Sequence, residues 1–157
     1  ISTNSLDVLR TFHDVSDGTC AVVELDYSLL NRDPEQGLLE YCAANDLGIL
    51  VRGPLAKGVL SGRYDADSVF TDSVRAGWNR GESGRPGYEA MLARLAAVRE
   101  ALGSDADLVE TALRFLTSHE SNPVAIPGAT RPSQAVSNAA AGAALLDAAE
   151  YQKLRAM

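Results

Sequence analysis

Cysteine, aromatic residues and positive charge are all scarce in this 157-residue sequence, which holds two Cys, one Trp, two His and 6% aromatics. Cys20 and Cys42 stand in apolar or helical contexts without disulfide or metal-ligand spacing. That excludes a stapled scaffold, and both are expected to be reduced core thiols in a cytoplasmic protein. With 14 Lys and Arg against 21 Asp and Glu, the net charge is -7 and the pI about 4.7. This excludes a general nucleic-acid surface, which needs a basic patch, but permits a local anion site. No apolar run reaches membrane-spanning length and the first residues are not a signal peptide, so no membrane partner is expected. There is no internal repeat, and the phosphate-binding fingerprint G-x-G-x-x-G is missing. Neither an initiating Met nor room for a strand precedes the first helix, so the sequence reads as a piece of a longer whole.

What is present suits one soluble domain with a sizeable core: 46% hydrophobic and 22% charged residues. Ser5 caps a helix carrying Leu6, Val8, Leu9 and Phe12. A β-branched run from Thr19 to Tyr27 predicts a strand. Asp33 as N-cap, Pro34 at the first helical position and Gln36 three residues after the cap predict a helix to about Asn45 or Asp46. A short buried strand spans Leu47 to Gly53, followed by a glycine-rich loop over 53–87. Apolar periodicity then predicts helices from Gly87 to Leu102 and from Asp105 or Ala106 to His119. "PVAI" makes a third strand, a helix opens at Thr130 or Arg131, and Asp147 caps a last helix within a 143–157 tail. Alternating strands and helices imply an α/β fold with parallel strands, and three such strands, expected to be apolar on both faces, make an incomplete sheet.

Ligands in parallel α/β proteins sit at the carboxyl ends of the strands. That rule selects Glu24 to Ser28, "RGPLAKGVLSGRY" (Arg52 to Tyr64) and "GATRPSQAVSN" (Gly128 to Asn138). The second stretch combines spaced glycines with Lys57 and Arg63, the composition of a phosphate cradle or of a plain connecting loop. In the third, Thr130 as N-cap, the free amides of a first helical turn and the Arg131 fork together suit an anion. The alternative there is a solvated turn with a surface arginine. Gln134 and Asn138 fall one turn apart on one face, within reach of a purine edge. Glu24 and Asp26 share a strand face, as an acid/base pair or with one of them bonded to an arginine. His13 and His119 have no partner suggesting a catalytic pair, and Trp78 either covers a ligand or packs.

The motifs "ISTNS", "VVELDYSLLNR", "LGILVRGPLAKGVLSGRY" and "ALRFLTSHESNPVAIPGATRPSQAVSN" occur in the order found in the later half of the aldo-keto reductases, which this chain resembles over nearly its whole length. The resemblance implies a partial (β/α)8 TIM barrel, roughly the second half of a fold that takes ~250 residues. The domain would be a single half-barrel segment over 1–157. It also implies NADP(H) bound in extended form and hydride transfer to an aldehyde or ketone.

On that resemblance, Ser2 and Glu24 lie at the nicotinamide amide, where Glu24 replaces the usual Gln. Arg52 replaces an aromatic that stacks on the ring. Gly53, Pro54, Leu55, Lys57, Gly58 and Arg63 line the pyrophosphate; Gly128, Thr130, Arg131, Gln134 and Asn138 hold the adenosine 2′-phosphate and adenine. Ser137 stands where Glu often precedes the adenine-contacting Asn, and Thr3 where Asn is usual. The family's Asp, Tyr, Lys and His tetrad lies on earlier strands and has no counterpart here; Tyr27, Lys57 and His119 are not substitutes. The partners implied are a small carbonyl substrate and either a missing N-terminal half or another chain that completes the barrel. Two other readings stand beside it: a non-catalytic half-barrel that binds nucleotide or protein, and a self-contained small phosphate-binding domain.

Overall fold

A computed structural model describes residues 1–103 and 106–157. The elements run α1 (Leu6–Val15), β1 (Val22–Asp26), α2 (Leu38–Ala44), β2 (Gly48–Arg52), α3 (Arg85–Leu102), α4 (Leu108–Thr117), β3 (Val124–Ala125), α5 (Pro132–Ala141) and α6 (Ala148–Arg155). The strands form one parallel sheet in the order β1-β2-β3, with Asp26 beside Arg52 and Val51 beside Ala125. Ahead of α1, Ser2 bridges Glu24 in parallel, through Thr3 N–H to Glu24 O (2.9 Å) and Glu24 N–H to Ile1 O (2.8 Å). Residues 1–3 therefore occupy a fourth strand position, which the sequence reading did not allow for. Among the described residues, no helix is long and apolar enough to cross a membrane.

Side-chain alternation along the strands sorts the two faces. Val23, Leu25, Ile49 and Val51 are buried beneath the helices, each contributing about 1.5–3 kcal/mol of transfer free energy. Glu24, Asp26 and Arg52 lie on the other face with exposed Val22 and Val124. The expectation of apolar residues on both faces fails here, because charged groups hold the open face near its carboxyl end. Cys20 and Cys42 are buried free thiols, as expected.

Local signals fix several element ends. The Ser5 and Asp147 side chains accept from Val8 N–H and Glu150 N–H at the starts of α1 and α6. The strand expected from Thr19 begins only at Val22, since Thr19 and Cys20 bond back to Ser16 at the end of α1. The helix expected from Asp33 to Asn45 divides into a 3-10 turn, Asp33–Glu35, and α2; between them Gly37 takes φ +102°, a left-handed conformation that suits glycine. The start considered at Asp105 lies outside the described residues, and Ala106 is not helical. Asp107 is the cap of α4, accepting from the Val109 and Glu110 amides.

The 53–87 segment packs its aromatic residues into the main core beside α3. Trp78 stacks on Tyr88 at 5.0 Å, and Phe70 meets Tyr64, Trp78 and Tyr88 edge-on. Arg75 lies over Tyr64 and Phe70 and pairs with Asp72, while the Asn79 side chain bonds both backbone groups of Phe70. Trp78 thus has a packing role.

Behind β1, Tyr27 is fully buried and donates to Glu35 at 2.7 Å; Glu35 also accepts two bonds from Arg32. Arg32 in turn donates to the Leu154 and Arg155 carbonyls, closing the C-terminal end of α6. His119 stands edge-on to Tyr27, and its Nδ1 accepts the Ser121 N–H at 3.1 Å. Burial holds the imidazole below its ordinary pKa of 6.5, so the unfolded chain binds the proton more readily than the folded one. Stability contributed by neutral His119 is complete above pH 6.5 and is lost as pH falls toward the lowered folded value. Urea unfolding midpoints are expected to drop on acidification through this window, with the drop reduced in His119→Gln. An unchanged pH dependence in the variant would refute the assignment.

Candidate functional site

The carboxyl ends of β2 and β3 bring two distant stretches together. A groove of about 730 Å³ is lined on one side by Gly53, Pro54, Leu55, Lys57, Gly58 and Arg63. On the other side stand Gly128, Thr130, Gln134 and Asn138. Parallel pairing of Leu50 with Val124 and Val51 with Ala125, extended by Ile126 N–H to Val51 O (3.0 Å), sets the two loops side by side.

The first wall is a left-handed backbone turn. Gly53 takes φ +64°, Ala56 +49°, Lys57 +53° and Gly58 +95°. A Cβ on Gly53 would come within 3.2 Å of the Asp26 carboxylate, and one on Gly58 within 3.2 Å of the Tyr64 ring. Two non-glycine residues in succession at positive φ carry strain of the kind that collects at ligand sites. Lys57 is exposed with its ammonium over Trp78 at 5.5 Å, and the Arg63 Nε lies 3.2 Å from Ser61 Oγ.

The second wall is the start of α5. The N-cap is Arg131 rather than Thr130, which lies one residue before it. The amides at this start are not all free, because Gln134 folds back on them. Its Oε1 accepts from Thr130 N–H (2.9 Å), Thr130 Oγ1 (3.0 Å) and Arg131 N–H (3.1 Å). Arg131 itself is exposed and forms no ion pair among the described residues. Asn138 faces the same groove one turn on.

Ser2, Glu24 and Arg52 stand apart from this groove, along the open sheet face. Arg52 pairs with Asp26 at 2.9 Å, so the strand-face carboxylate next to an arginine is Asp26 and not Glu24. Asp26 is held further by Asn31 Nδ2 on its Oδ1 (3.0 Å) and by Asn4, which bonds both its backbone groups at 2.8 Å. Tyr27 and His119 are turned to the helical side, and His13 meets the Tyr41 hydroxyl on the outer layer at 2.9 Å. Among the described residues, no cluster of three or more His, Cys, Asp or Glu could hold a metal.

Several groove residues were not singled out from the sequence. Ser133 lies on the same face as Thr130, Gln134 and Asn138, a helical periodicity that would have found it, and Ser137, noted as standing in place of Glu, lies there as well. Arg75 and Ser61 had no such signal. Arg75 arrives from 18 residues beyond Lys57, approaches the Lys57 carbonyl and bonds the Tyr64 hydroxyl.

The donor set fits a phosphorylated dinucleotide. Glycine positions allow close backbone approach, Lys57, Arg63 and Arg75 supply positive charge along the groove, and Arg131 adds a fork beside it. Comparison with known proteins gives the family. A model described as the aldo/keto reductase family matches residues 1–157. A probable pyridoxal reductase of Schizosaccharomyces pombe is 30% identical over 127 residues, covering 77% of this chain and 38% of that protein. The holo form of an aldo-keto reductase from Bacillus halodurans superposes with a TM-score of 0.73 at 24% identity, over 99% of this chain and 48% of that one. An aldo-keto reductase from Klebsiella pneumoniae, solved with NADPH, gives 0.64 at 24% identity over 99% and 45%. The chain thus spans about half the length of these solved structures, and its three parallel strands with flanking helices form a partial barrel. Matched by the family model from its first residue to its last, the chain belongs to the aldo/keto reductase family.

Proposed function

We propose that this chain is the second, cofactor-gripping half of an NADP(H)-dependent oxidoreductase that reduces an aldehyde or ketone by hydride transfer. The single observation that carries the reading is the groove joining the 53–64 loop to the start of α5. Gly53, Pro54, Leu55, Lys57, Gly58 and Arg63 would take the pyrophosphate, with Arg75 added to that set. Gly128, Thr130, Arg131, Gln134 and Asn138 would take the 2′-phosphate and adenine. Gln134 spends its oxygen on the helix start, which leaves its amide hydrogens for the base. Ser2 and Glu24 line the sheet face where the nicotinamide amide would bond, and Asp26 fixes Arg52 beside them. NADPH when bound supplies the hydride; these residues hold it in one orientation, from which much of the rate derives.

The general acid is assigned to the other half of the barrel, which the open sheet face awaits, and a cytoplasmic setting belongs with this reading. A non-catalytic nucleotide-binding half-barrel is the second reading, and the placement of Tyr27 and His119 on the helical side accords with both. NADPH fluorescence titration with light scattering on the same sample tests both. Saturable NADPH binding is expected, with carbonyl turnover only when the remaining half is present. Turnover that stays absent from the completed barrel would favour the second reading, and absence of NADPH binding would defeat both.

A further inference from the structure

A second cavity, about 840 Å³ and larger than the cofactor groove, opens between the β1–α2 turn, α3 and α6. It shares no lining residue with that groove. Its accessible apolar residues are Ala97 and Met157, over a nearly buried floor of Leu29, Leu30, Val98 and Leu154, and it carries three guanidinium groups, from Arg32, Arg94 and Arg155.

The three arginines are not equivalent. Arg32 is consumed: it binds Glu35 through two nitrogens at 2.9 and 2.7 Å and gives its third to the Leu154 and Arg155 carbonyls. Glu35 is consumed as well, since it also accepts from Tyr27. Arg94 makes one bond among the described residues, from Nη1 to the Leu30 carbonyl at 2.7 Å. Arg155 reaches Glu35 only at 3.8 Å and lies over the Tyr151 ring. Arg94 and Arg155 therefore keep N–H donors for a further acceptor, facing one unconsumed carboxylate, Asp33.

We propose that this cavity binds an amphipathic monocarboxylate, its head between Arg94 and Arg155 and its aliphatic tail over Ala97 and Met157. A small hydrophilic anion would leave these apolar residues unused. A phosphate dianion would meet stronger repulsion from Asp33 than a monocarboxylate does. An uncharged tail would forgo the charge-assisted bonds.

Isothermal titration of the chain with octanoate, octan-1-ol and acetate separates these contributions. Octanoate is expected to bind about tenfold or more tighter than either of the others, one lacking the charge and one the tail. Arg155→Gln, on a half-exposed side chain, is expected to weaken octanoate about fivefold or more and leave octan-1-ol unchanged. Arg94→Gln is expected to do the same, with circular dichroism confirming the fold. Equal binding of octanoate and octan-1-ol would overturn the proposal, as would failure of octanoate to bind or indifference to Arg155→Gln. NADPH affinity of the same variants should stay unchanged, so failure here leaves the cofactor reading intact.

Discussion

Arg131→Ala is expected to weaken NADPH binding about ten- to a hundredfold while changing NADH binding no more than about twofold. The two cofactors differ only in the 2′-phosphate, so the contrast isolates one charge-assisted contact. Arg131 sits where a cation is unfavourable on its own account, at the N-terminal end of the α5 dipole, and its side chain offers no acceptor with which to cap the helix. The helix start is instead closed by Gln134. Removing the guanidinium should therefore leave thermal stability unchanged or slightly raised. Loss of NADPH affinity without loss of stability is the signature of a residue kept for its ligand. Equal losses for NADPH and NADH in fluorescence titrations would show that Arg131 does not read the 2′-phosphate.

Glu35→Ala is expected to destabilise the fold by about 2–4 kcal/mol. The carboxylate is one of the best-satisfied groups in the chain, accepting from Tyr27 and twice from Arg32 with only a tenth of its side chain exposed. Without it the buried Tyr27 hydroxyl has no partner, and Arg32 loses the charge that orients it under α6. Burial by itself would raise the Glu35 pKa, but the bonds from Arg32 and Tyr27 and the charges of Arg32 and Arg155 outweigh it and leave the value below the ordinary 4.5. Its stabilisation is thus complete above pH 4.5 and fades as pH falls toward the lowered folded value. Urea unfolding at neutral pH measures the loss, and Tyr27→Phe combined with Glu35→Ala in a double-mutant cycle apportions it. A change below about 0.5 kcal/mol would place the network among the inconsequential surface pairs.

Much of this was legible one turn at a time. The caps of α1 and α6, the glycine-rich character of the 53–87 segment, and the opening of α5 at Arg131 are each written within a few residues. Reading failed where a distant contact outbid a local preference. Pro34 and Asp33 look like a helix start, yet Arg32 beside them is drawn to the carbonyls at the end of α6, 122 and 123 residues away, and the helix begins only after Gly37. Asn4 passed unnoticed because its role is to mimic a strand beside Asp26, 22 residues away. Tyr27 alternates with its strand neighbours onto the helical face, which removes it from the open face.

By itself, then, the sequence determined most of the helices and strands and the family, and it singled out the two stretches that follow β2 and β3. Capping, periodicity and composition act between near neighbours and survive in any context. Only the tertiary structure decided that those two stretches share one groove. Their meeting depends on the register of β3 against β2, a pairing between segments about 70 residues apart that no local preference encodes. The same long-range packing turned Arg75 into the groove, spent Arg32 on α6, and left Arg94 and Arg155 with donors to offer.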